Sequence, residues 1–63
     1  MHDYRAQLEK LREDAAECAL IRDLAKDKAK RELFDQLAVH LSALADHVAL
    51  AILQAKPGSK NSN

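Results

Sequence analysis

His40 and His47, the single Cys18, an acidic cluster of Glu13, Asp14 and Glu17, and a basic run from Lys26 to Arg31 are the residues of this chain whose types could do chemistry. Imidazoles bind transition metals and exchange protons near neutral pH. Two histidines that share an ion on one helix stand three or four residues apart, as in metal-binding helical motifs. His40 and His47 are seven apart, roughly 10 Å along a helix axis at ~1.5 Å per residue. A common ion would need ligands from another chain, so no metal and no other cofactor is expected. The spacing places both rings on one flank of a helix. At an association seam they would charge near about pH 6 and weaken it, so His40 and His47 are the expected pH-sensitive residues.

The other candidates have simpler readings. A reactive thiol needs an exposed, electropositive setting. Cys18 instead recurs with Ala15 and Ile21 on an apolar stripe, where cysteine acts as a small hydrophobe. As the only cysteine it cannot cross-link its own chain, and a bridge between two copies stays open. Glu13, Asp14 and Glu17 read as a solvated face with Lys10 and Arg12 nearby. The run 26–31 is able to touch phosphate. It has no interleaved aromatic for base stacking, and Asp23 and Asp27 dilute it. The outer face of the following segment lacks the Arg, Lys and Asn that read base edges. The only glycine is Gly58, so there is no glycine-rich phosphate loop. No catalytic residue, small-molecule substrate or enzyme activity is expected.

The elements that would carry these residues are helical. Leu, Ala, Lys, Glu, Gln and Arg dominate and favour helix. Strand formers are few, with no threonine at all, and Pro57–Gly58 are the only strong breakers. Apolar residues recur at Tyr4, Leu8, Leu11, Ala15, Cys18, Ile21 and Ala25, then at Phe34, Leu37, Leu41, Leu44, Val48, Ala51 and Ala55. Steps of three and four place each set on one helix face. The two stripes face each other if the chain reverses between residues 27 and 28. The spacing therefore predicts an all-α antiparallel two-helix hairpin, about 3–26 and 28–55. Its expected core is Leu8, Leu11, Ala15, Cys18, Ile21, Phe34, Leu37, Leu41, Leu44 and Val48.

Asp27 is a suitable N-cap for the second helix. Against a turn there, no glycine marks it, and Lys28, Lys30 and Arg31 sit at the unfavourable positive end of that helix. One continuous coiled-coil helix is the alternative architecture. Residues 1–56 form the expected hairpin unit and 57–63 an expected disordered polar tail.

Charge is unevenly spread. From Leu33 to Ala55 there is no Lys or Arg, and the acids are Asp35 and Asp46. The second helix is thus more apolar than one seam requires, with Leu33, Val39, Leu50, Ile52 and Leu53 left outside it. Leu20 and Leu24 are left over on the first helix. The expected interface is Val39, Leu50, Ile52, Leu53, Leu20 and Leu24. A small chain without disulfide or metal commonly completes its core by association. The expected assembly is a homodimer forming a four-helix bundle. Docking of a helix from a different protein is the alternative. Weak nucleic-acid contact through the turn 26–31 is a more distant one. Asp35, His40, Asp46 and His47 interrupt residues 33–53, and no Lys or Arg flanks the apolar face, so no membrane contact is expected.

The stretches Cys18-Ala-Leu-Ile-Arg-Asp-Leu-Ala25 and Lys30-Arg-Glu-Leu-Phe-Asp-Gln-Leu37, with Leu37-Ala-Val-His40, resemble a group of small uncharacterised alphaproteobacterial proteins of rhizobial type. The resemblance covers residues 4–53. It implies a bacterial cytoplasmic protein of unknown function and carries over no catalytic residue. The N-terminal Met1-His2-Asp3-Tyr4-Arg5 lacks the basic-then-apolar order of a secretion signal, and a lone cysteine suits a reducing compartment, in keeping with a cytoplasmic location. The expected function is a non-enzymatic, homo-oligomerising helical interaction module.

Overall fold

The computed structural model describes residues 3–55; the expected tail 57–63 lies outside them. Two helices pack against each other as a hairpin, α1 (Tyr4–Leu24) and α2 (Lys28–Gln54). Each begins on an aspartate. Asp3 Oδ1 accepts the Ala6 amide at 3.1 Å, and Asp27 Oδ2 accepts the Lys30 amide at 3.3 Å. Both bonds satisfy amides that have no partner within a helix. The first helix ends at Leu24, two residues earlier than the periodicity suggested, because Ala25 is already extended at φ −70°, ψ 136°.

The continuous-helix alternative is overturned by this turn. Asp27 is also extended, at φ −96°, ψ 129°, as a capping residue must be. Arg31 then does something its position at a helix N-terminus does not suggest. Its Nη2 donates to the Ala25 carbonyl at 3.0 Å, neutralising an orphan acceptor just past the end of α1. A second tie crosses the hairpin nearby, where Arg22 Nη1 donates to Asp35 Oδ1 at 3.0 Å.

The seam differs from the expected one. Only three described residues are buried, and all are alanine: Ala15 on α1, Ala38 and Ala45 on α2. Leu8, Leu11, Cys18 and Ile21 are half-buried on α1, as are Phe34, Leu41, Val48 and Ile52 on α2. The contact line on α2 therefore runs through residues 34, 38, 41, 45, 48 and 52. Leu37 and Leu44, expected in the core, are 38% and 52% exposed. Ile52, expected at an outer interface, lies on the seam. The physical reason is size. With only one neighbour, α2 turns small side chains toward α1, which lets the axes approach, and the leucines beside them are rotated off the contact line.

Candidate functional site

The chemistry-bearing side chains are not brought together. Cys18 is half-buried with a free thiol. His40 and His47 are both exposed on α2, and Glu13 and Glu17 are exposed on α1, with Asp14 half-buried. Among the described residues, no group of three or more His, Cys, Asp or Glu is placed to hold a metal ion. The basic run is exposed around the turn, and its Arg31 is engaged in the cap. The densest electrostatic contact is Arg22, which bonds Asp23 and Asp35, both at 3.0 Å. Its hydrogen bond to Asp23 first, and to Asp35 second, holds the guanidinium above its ordinary pKa. All three partners are accessible to water, so this contact is a modest tie between helices rather than a reactive site.

What the fold does assemble is a surface with exposed apolar residues on both sides of the seam. On one side an open groove of about 610 Å³ runs between the helices. Its walls are Arg12, Ala16, Ala19 and Arg22 of α1 facing Val39, Ser42, Ala43 and Asp46 of α2. At about 100° per residue, Leu11, Asp14, Cys18 and Ile21 fall on the opposite side of α1. By the same rotation Leu33, Leu37, Leu44, His40 and His47 fall on the opposite side of α2. The groove side is floored by alanine and edged by charge, and by the same rotation it also carries Leu20 of α1 and Val39, Leu50 and Leu53 of α2. The other side carries Leu11, Ile21, Leu33, Leu37 and Leu44 with Gln7, Lys10, Asp14 and Glu17 of α1 and the two imidazoles of α2.

No family model, curated protein or solved structure matches the chain. The surface has therefore to be read from its own chemistry. Among the described residues, nine large apolar side chains are exposed: Tyr4, Leu20, Leu24, Leu33, Leu37, Val39, Leu44, Leu50 and Leu53. Five of the six expected interface residues are among them. Val39 lines the groove, Leu50 and Leu53 lie on the same side of α2, and Leu20 and Leu24 occupy the outer back of α1. Periodicity did not single out Ala38 or Ala45, the two alanines that α2 brings to the seam. The signal was present in the seven-residue spacing of Ala38 and Ala45, which places two small residues on one line of α2.

By length and composition α2 is also able to cross a membrane, with an 18-residue stretch of mean hydropathy 1.5. The hairpin opposes that use. The helix packed along it, α1, carries nine charged residues in its 21. Each charge at the bilayer centre costs about 2.5–3.5 kcal/mol on insertion scales. A spanning α2 would have to part from α1 and give up the alanine seam.

Proposed function

We propose that this chain is a non-enzymatic helical interaction module that self-associates, two hairpins forming a four-helix bundle in the cytoplasm. The reading is carried by one contrast: the described core consists of three alanines, while nine large apolar side chains face solvent. A hairpin of this size burying no large side chain completely has little to hold it folded alone. Exposed apolar surface of this extent marks a binding face. Stacking two hairpins covers it with an identical surface and requires no other gene product.

Sedimentation equilibrium at micromolar concentration tests this directly. A dimer that loses helicity as it dissociates on dilution is the expected result. A folded monomer at those concentrations would overturn it.

A second reading has its own support in Val39, Leu50 and Leu53, which are 57%, 52% and 63% exposed on the groove side of α2. They suit the apolar face of an amphipathic helix from another protein. Under that reading, Leu50→Asp with Leu53→Asp abolishes capture of the partner while leaving helicity intact.

A further inference from the structure

We propose that Lys26 and Asp27 set the apolar repeats of α1 and α2 two residues out of step, and that this offset bars a competing fold in which two straightened chains pair antiparallel as one long rod. The device belongs to the single chain and does not depend on the self-association proposed above.

The offset is visible in the seam. On α1 the contact line runs through Leu8, Leu11, Ala15, Cys18, Arg22 and Ala25, each buried or half-buried. Alternating steps of three and four make a seven-residue repeat. Carried past the turn, that repeat would fall on Glu32, Gln36, Val39, Ala43, Asp46 and Leu50. All of these are exposed. The seam of α2 lies instead on Phe34, Ala38, Leu41, Ala45, Val48 and Ile52, each two residues further on and each buried or half-buried.

The competitor is a straightened form of the same chain. With helix running through residues 25–27, two chains could lie antiparallel, α1 of each on α2 of the other. Every seam contact would be kept and helix added at the turn. Negative φ at Ala25 and Asp27 leaves the backbone free to do this. Such a pair closes only if both seams lie on one face of the straight chain. Interruptions of three or four residues are close to one helical turn, and a local change of winding absorbs them. Two residues amount to about 200°. A straight chain therefore carries its α1 and α2 stripes on nearly opposite faces, and a partner that covers one leaves the other bare. In the hairpin, the extended residues let α2 rotate against α1 until the stripes meet. The bonds of Asp27 and Arg31 hold the turn locally. The offset removes the state to which the turn would otherwise be lost.

Deleting Lys26 and Asp27 brings the repeats into step. Cys18, Arg22, Ala25, Arg31, Phe34 and Ala38 would then follow one another at steps of four, three, four, three and four.

The experiment makes this double deletion in the otherwise full chain and compares it with wild type by circular dichroism, small-angle scattering and sedimentation equilibrium. The expected product is a helical two-chain rod of about 75 Å, at ~1.5 Å per residue. The wild-type hairpin is about 40 Å long by the same rise, set by the 27 residues of α2. Deletion of Asp27 alone is the control. It removes the same cap and shortens the turn, but leaves the repeats one residue, about 100°, out of step. It should give no two-chain rod. A double deletion that keeps the wild-type dimension, or that loses its helicity, overturns the proposal. So does a two-chain rod from the single deletion, which would trace the hairpin to its cap and turn length instead.

Discussion

Ala45→Leu is expected to melt about 10 °C or more below wild type, although it adds a hydrophobic side chain to a helix that is already apolar. Ala45 is 0% exposed and lies on the line where α2 touches α1. A leucine there has no room unless the helices separate, and separation also strips the contacts of Ala15 and Ala38. Overpacking of this kind costs about 1–3 kcal/mol. In a domain of this size each kcal/mol moves the melting temperature by about 4–8 °C. The neighbouring Leu44→Ala should behave in the opposite way. That side chain is 52% exposed in the hairpin, so its removal costs the seam little and acts on association. Circular-dichroism melts at two protein concentrations separate the effects. The Ala45→Leu deficit should persist at both, while the Leu44→Ala deficit should change with concentration. A melting temperature for Ala45→Leu equal to wild type would mean that the helices are not in close contact at this alanine.

The two residues also show where sequence reasoning reached and where it stopped. Helix class follows from composition, and the chain reversal follows from Asp27 with a stripe on either side. The line Leu8, Leu11, Ala15, Cys18 was legible on α1, since there the stripe and the seam nearly coincide. On α2 they part at alternate positions, Leu37 giving way to Ala38 and Leu44 to Ala45. A heptad pattern reports which side of a helix avoids water. It does not say which neighbour each residue meets. When a second neighbour is missing, the contact line shifts to the small residues that allow closest approach. The leucines beside it are left exposed, and under the proposed self-association a second hairpin would cover them.

Arg31 was misjudged for a related reason. A basic residue near a helix N-terminus opposes the helix dipole, and that much can be read from the sequence. The length of its side chain, which reaches back to a carbonyl of the preceding segment, becomes relevant only once the turn has formed. Asp14 was likewise grouped with Glu13 and Glu17 as a solvated cluster. Only the half-burial of Asp14 sets it apart from them.

The turn gives the second large effect. Asp27→Ala combined with Arg31→Ala should destabilise the hairpin while leaving helix content unchanged or raised. Nothing steric forces the break at 25–27, since the φ values of Ala25 and Asp27 are −70° and −96°, negative angles that any residue adopts. Alanine and lysine on either side favour helix. What holds the chain extended is the Asp27 cap on the Lys30 amide and the Arg31 bond to the Ala25 carbonyl. Loss of the cap alone costs about 0.5–2 kcal/mol. Without both ties, helix can propagate through residues 25–27, converting the hairpin toward a single rod of about 75 Å for ~50 residues at ~1.5 Å each. Small-angle scattering should then show a longer maximum dimension, while the ellipticity at 222 nm holds or deepens. Arg31→Lys, which keeps the charge but not the guanidinium fork, should give an intermediate shift. If the double variant keeps both the wild-type dimension and its stability, the alanine seam alone sets the turn, and the two side-chain ties merely decorate it.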